Sequence, residues 1–127
     1  MNIWYSTGEL SILSNLAERP FTDKDGREYV SVEHAYQSWK AGVFNEYIYR
    51  KPWKAGSKFT ARGTKTEGDW NISLMESIMR LSFKDIRNTD AVEVLVGTGD
   101  SVLTHNQDRG VWKLRFPKLL IKIRKEL

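Results

Sequence analysis

Two carboxylates in this chain stand where acid–base chemistry could be carried out. Glu33 sits in Ser31-Val-Glu-His-Ala-Tyr-Gln37, at the mouth of an amphipathic helix, and Asp108 lies in a turn-like stretch between Gln107 and Arg109. Each also has a structural explanation. An acid in the first turn of a helix gains a few tenths to about 1 kcal/mol from the helix dipole, and an Asp in a turn commonly serves the loop or an ion pair. Other chemistries find no footing. The chain has no Cys, which removes thiolate nucleophiles, disulfides and Cys-type zinc sites together. Its two His, His34 and His105, are far apart in sequence. The adjacent Glu33-His34 pair points its side chains about 100° apart on a helix, unlike H-E-x-x-H. No G-x-S-x-G occurs, and Gly97-Thr-Gly99 is too short for a dinucleotide loop. Metal, cofactor and serine-nucleophile readings are therefore set aside.

The elements that must position these groups follow from the pattern. Ile3-Trp-Tyr5 is a short strand candidate. Arg27-Glu-Tyr-Val30 is another, after an Asp25-Gly26 turn that supplies positive φ. Ser31 is a natural N-cap for a helix whose inward residues are Val32, Ala35, Tyr36 and Trp39, closed by Gly42. A further short helix spans Val43 to Arg50, stopped before Pro52. Lys54 to Gly68 is irregular and basic, as functional loops are. Asp69 or Asn71 opens a helix with Ile72, Met75, Ile78, Met79 and Phe83 on one broad apolar face, the central buried helix. Thr89 can cap Asp90 to Val96, closed by Gly97, although Val-Glu-Val-Leu-Val also suits a strand. Pro117 suits the first turn of a last helix that turns Phe116, Leu119, Leu120, Ile123 and Leu127 inward. The expected class is α+β, predominantly helical, with a small antiparallel β element near the N-terminus.

Composition sets the frame. A chain of 127 residues with 40% apolar and 12% aromatic content reads as one domain, 1–127, able to bury a real core. Five Trp supply large rings suited to cleft walls as well as cores. No leader and no long apolar run opens the sequence, so a cytoplasmic, non-membrane protein is expected. The formal charge of +4 favours an anionic partner. Its excess gathers in the last helix as Arg115, Lys118, Lys122, Arg124 and Lys125, opposed there only by Glu126. Such a stripe is either a solvated face or a contact for DNA.

Read in order, Trp4-Tyr-Ser6, Leu13-Ser-Asn15, Pro20-Phe21, Asp25-Gly26, Tyr29, Ser31-Val-Glu-His-Ala-Tyr-Gln37 and Lys40 resemble the opening of the NADAR family, the YbiA-like N-glycosidases. The similarity continues through Asp69-Trp70, Met79, Phe83, Thr98-Gly-Asp100, Asp108, Trp112 and Leu119-Leu-Ile-Lys-Ile-Arg124, so it spans the whole chain. The resemblance implies hydrolysis of an N-glycosidic bond between ribose and a base-like leaving group. Members act on reactive ribosylamino-pyrimidine phosphates of riboflavin synthesis, or remove ADP-ribose from guanine in DNA. The family's functional Glu, Trp and Asp fall on Glu33, Trp70 and Asp108.

On that reading, Glu33 stabilises oxocarbenium-like charge on the sugar and orients or deprotonates water. Tyr36 and Trp70 desolvate it. Asp108 positions ribose hydroxyls or assists proton transfer to the leaving nitrogen. Trp70 stacks on the base, Asn15 meets the base edge or a ribose hydroxyl, and Trp112 adds to the wall. Lys58, Arg62 and Lys65, in the irregular stretch, would grip phosphate. No cofactor and no metal is implied. The partner is a small nucleotide-like substrate or an ADP-ribosylated nucleic acid, the latter with the basic last helix touching DNA.

The chain also departs from the family pattern. Asp108-Arg-Gly-Val-Trp112 carries an extra residue between Asp and Trp, and the glycine-rich run before the last helix is gone. An opened wall of this kind suits a bulky ADP-ribosyl substrate. The small pyrimidine phosphates would favour a closed, water-excluding pocket. A non-catalytic module that binds ADP-ribose or nucleic acid is the alternative from another class.

Overall fold

A computed structural model describes residues 1–4, 8–51, 68–108 and 110–127, with the backbone alone for 68–70. A 3-10 turn, Gly8–Leu13, precedes a two-stranded antiparallel hairpin of β1 (Phe21–Thr22) and β2 (Glu28–Tyr29). Five α-helices follow: α1 (Val32–Trp39), α2 (Glu46–Tyr49), α3 (Gly68–Lys84), α4 (Thr89–Gly97) and α5 (Trp112–Arg124). The class is the one the sequence predicts, helical with a small hairpin at the N-terminal end.

Turn chemistry builds the hairpin. Gly26 takes φ +80°, which costs other residues about 1 kcal/mol. Asp23 Oδ1 accepts from the backbone N–H of Asp25 and of Arg27, each at 2.9 Å, and pins the loop. Phe21 pairs with Tyr29, and both side chains are buried. The Tyr29 hydroxyl donates to Asp23 Oδ2 at 2.7 Å and accepts from Trp39 Nε1 at 3.1 Å, joining turn to helix. Ser31 then caps α1, its hydroxyl accepting from the His34 N–H at 3.2 Å. After the helix, Gly42 at φ +85° returns its N–H to the Trp39 carbonyl.

Helix α3 runs through the centre, burying Met75, Ile78, Met79 and Phe83 against Leu13, Phe21, Ala35, Leu95, Leu120 and Ile123. Its apolar face is the one the periodicity indicates, with Ile72 at the margin. The Val-Glu-Val-Leu-Val segment is helix, not strand. Its start differs from the expected one, because Thr89 is the first helical residue and Asn88 stands at the cap without a side-chain cap bond. The Asn88 amide is used elsewhere, donating to the carbonyls of Pro20 at 2.9 Å and Ser82 at 2.8 Å.

Two expectations about the last helix are corrected. Pro117 lies inside α5, which begins at Trp112. The ring leaves the Lys113 carbonyl without its helical N–H, and that residue is exposed, so water can serve it. Leu127 lies beyond the helix end and is 39% exposed, while Phe116, Leu119, Leu120 and Ile123 are buried as predicted. Of the Ile3-Trp-Tyr5 strand candidate, Tyr5 lies outside the described residues, and Ile3 and Trp4 are not in a strand. Asn2 before them forms an isolated parallel bridge with Thr104, and the Ile3 N–H donates to the Thr104 carbonyl at 2.8 Å. Among the described residues no helix is long and apolar enough to cross a membrane.

Candidate active site

The N-terminus of α1 forms the floor of a cleft of about 520 Å³, a volume within the range of small-molecule sites. Glu33 enters it from the first turn of the helix. Its backbone N–H, one of the donors that a helix start leaves open, gives its hydrogen to the Asn15 carbonyl at 2.9 Å. The Leu13-Ser-Asn15 loop is thereby sewn to the helix that carries the carboxylate.

Four residues later, Gln37 lies on the same face. Its Nε2 donates to Glu33 Oε1 at 2.7 Å, the length of a charge-assisted bond. Burial raises the Glu33 pKa, the Gln37 hydrogen bond and the Lys40 charge pull it back, and the Asp108 charge raises it again. The net shift is upward, so the carboxyl holds its proton to higher pH than an ordinary Glu. Tyr36, buried beside it, has its phenol pushed up to about 12 by burial and by the Glu33 charge.

The opposite wall comes from the loop before α5. His105 is buried, and its Nδ1 donates to the Ile3 carbonyl at 2.8 Å. Its Nε2 lies 3.3 Å from Asp108 Oδ2. The imidazole meets the Trp4 ring at 5.2 Å, tilted, and the Phe116 ring at 4.7 Å, edge to face, centroid to centroid. Trp112 meets Tyr36 edge to face at 5.6 Å, and both rings line the cleft.

Of the residues singled out from the sequence, Asn15, Glu33, Tyr36, Asp108 and Trp112 line this one cleft. Lys58, Arg62 and Lys65 lie outside the described residues. Trp70 falls in the first turn of α3, but its side chain is outside the described set. The sequence reading missed Gln37, Lys40, His105 and Met75 as lining groups. The first two were available as positions i+4 and i+7 from Glu33 on one helix face. Met75 packs on the Asn15 amide, whose Nδ2 points to its sulfur at 3.3 Å.

His34, next to Glu33 in sequence, turns away from the cleft. Its Nδ1 accepts from the Val30 N–H at 3.2 Å, and its Nε2 faces the Tyr49 carbonyl at 3.1 Å. Both contacts are satisfied by the neutral Nε2-protonated ring, and burial lowers its pKa in keeping with that. This histidine is architecture.

A carboxylate held at a cleft floor, faced by an Asp–His pair and flanked by Lys40 and indole rings, can take a proton from water on one side and give one on the other. No group of three or more His, Cys, Asp or Glu that could hold a metal ion occurs among the described residues.

No family model matches the sequence, and no curated protein matches it. The fold, however, is that of a solved protein. The NMR structure of the E. coli protein YbiA superposes with a TM-score of 0.75 at 20% sequence identity, over 99% of this chain and 83% of that one. The chain thus has the YbiA fold, with its helical body and two-stranded hairpin.

Proposed function

We propose that this chain is a NADAR-type N-glycosidase, hydrolysing the bond between a ribose and a base-like group, with ADP-ribosyl-guanine in DNA or nucleotide as its substrate. The observation that carries the reading is Glu33. It is a carboxylate whose pKa is raised by burial, set in a cleft of about 520 Å³ on a chain with the YbiA fold. Raised carboxyl pKa values in clefts mark groups tuned for proton transfer.

Cleaving a ribosyl C–N bond leaves oxocarbenium-like charge on the sugar and electrons on the departing nitrogen. Glu33 faces the anomeric carbon, stabilises that charge and takes a proton from the attacking water, which gives its hydroxyl to the sugar. The leaving nitrogen takes a proton from the Asp108 side of the cleft. Trp112 and Tyr36 exclude water, and Asn15 meets the base edge or a ribose hydroxyl.

The preference for an ADP-ribosyl nucleic acid draws support from α5. Lys113, Arg115 and Lys118 are exposed on the helix that begins with the cleft residue Trp112. By contrast, Lys122 is tied to Glu76 at 3.0 Å, and Arg124 donates to Thr98 Oγ1 and the Ser101 carbonyl. Only part of the basic stripe is available to an anion.

The test is mass-spectrometric detection of ADP-ribose released from guanine-ADP-ribosylated DNA by wild type and by Glu33→Gln. Release that disappears in the folded variant supports the proposal. No release by wild type removes this substrate and passes the same pair to ribosylamino-pyrimidine phosphates. Inactivity there too leaves a module that binds ADP-ribose or nucleic acid without turnover.

A further inference from the structure

The loop before α5 fixes which way round one cleft amide points. The Asn106 backbone N–H can only donate, so the Asn2 side-chain atom 2.9 Å from it is the oxygen, Oδ1. The same oxygen accepts from the Thr104 hydroxyl at 3.1 Å. With that end of Asn2 committed, its Nδ2 faces Gln107, and an amide nitrogen only donates. Gln107 answers with Oε1 at 2.7 Å. The polarity of one carboxamide thus dictates that of the next. What Gln107 has left is its Nε2, whose two N–H donors make no hydrogen bond among the described residues. Gln107 is exposed and lines the cleft, whereas Asn2 stands outside the lining.

We infer that Gln107 reads the leaving base, its Nε2 donating to a carbonyl oxygen there, with Asn2 as the positioning residue that holds it in the donor sense. This role rests on the N-glycosidase reading. On that reading Glu33 faces the sugar and the leaving nitrogen lies toward Asp108, the next residue of the loop that carries Gln107. The exocyclic oxygen of a 6-oxo purine such as guanine is an acceptor and suits this donor. A 6-amino purine presents N–H at that place and sets donor against donor. The base is therefore selected at its edge by an amide that takes no part in bond cleavage. The ligand's other strong acceptor is a phosphate oxygen, and a base-free ligand separates the two.

Binding decides it without turnover. Guanosine 5′-monophosphate and its 2,6-diaminopurine counterpart differ only at ring positions 1 and 6, the second carrying an amino group in place of the oxygen. In NMR titrations, wild type should hold the 6-oxo nucleotide about tenfold more tightly, the worth of one such hydrogen bond. Gln107→Met should level the two. Asn2→Asp keeps an oxygen for Asn106 and Thr104, so the loop stays pinned. It offers Gln107 only a second oxygen, so that amide turns its nitrogen to Asp and its own oxygen to the cleft. The order of affinities should then reverse. Asn2→Asp made in the Gln107→Met protein should add nothing, which separates the relay from an effect of the added charge.

Equal affinities in wild type, or an unmoved order in Asn2→Asp, overturn the assignment. So does an effect of Asn2→Asp that persists without Gln107. ADP-ribose, which lacks the leaving base, should bind Gln107→Met as it binds wild type. Weakening there equal to that for the 6-oxo nucleotide would give the donor to phosphate and overturn the base reading. The ADP-ribose release assay keeps the two proposals apart. Wild type that prefers the 6-oxo nucleotide but releases nothing overturns the N-glycosidase reading alone. Wild type that releases ADP-ribose without that preference overturns the Gln107 assignment alone.

Discussion

Gln37 grips Glu33 from one helical turn further along, its Nε2 donating to Oε1 at 2.7 Å, while its own Oε1 is buried with no hydrogen-bond partner among the described residues. The amide thus supports the ionised carboxylate and carries an unsatisfied oxygen to do so. An orphan buried acceptor costs roughly 1–3 kcal/mol, a strain that packing alone would not call for.

Gln37→Leu removes the donor and the orphan together. Stability should change little, since the two effects oppose. The Glu33 carboxyl, relieved of the charge-assisted bond that lowers its pKa, should titrate at higher pH than in wild type. Carboxyl 13C shifts across a pH series read this directly. An unmoved titration would show that the bond does not hold the charge.

Replacing Glu33 itself should stabilise the fold. Its folded pKa lies above the unfolded value because burial disfavours the charge. The folded state therefore binds the proton more tightly, and stability is lost as pH rises from the unfolded value through the folded one. Glu33→Gln has no charge to bury and can still accept from Gln37. Its Tm should exceed that of wild type by a few degrees at neutral pH, and the gap should close on approach to about pH 4. A gap independent of pH would refute the burial argument.

Most of the fold was legible because local signals agree with the tertiary result. Ser31, Gly26 and Gly42 do what caps and turns do, and the α3 face is set by its spacing. What was not legible depends on contacts distant in sequence. Asn88 is drawn off its cap by Pro20 and Ser82. Residue 117 sits inside a helix because the carbonyl it deprives is at the surface. In the site, Glu33 and Asp108 stood out as carboxylates. His105 did not, because its meaning comes from the Ile3 carbonyl, 102 positions away.

Arg19 should prove one of the most sensitive structural positions. Its guanidinium is wholly buried and donates to the carbonyls of Ile12 and Ser14 and to Ser82 Oγ at 2.8–3.0 Å, over the Phe83 ring at 4.2 Å. Arg19→Leu leaves the Ile12 carbonyl and Ser82 Oγ without this donor, whereas the Ser14 carbonyl keeps the Ala17 N–H at 3.0 Å. Each unmet acceptor is worth about 1 kcal/mol or more. The expected loss is about 2 kcal/mol in chemical denaturation. A loss under 1 kcal/mol would mean that water replaces the guanidinium.

The α5 surface predicts a salt signature. Changing Lys113, Arg115 and Lys118 together to Glu should weaken DNA binding and flatten the dependence of log affinity on log salt by up to about three. Lys122→Ala should leave that slope alone, since Lys122 is tied to Glu76. Fluorescence anisotropy across a salt series separates the two, and equal slopes in all three proteins would remove DNA from this face.

The neutral ring of His34 carries a liability for acid conditions. With Val30 N–H pointing at Nδ1, a second ring proton would set donor against donor at the seam between hairpin and α1. Burial already holds the folded pKa of this ring below its ordinary value, so the stability it lends is present above the unfolded value and is lost as pH falls. Acidification therefore strikes the joint behind Glu33, from beneath the floor of the cleft.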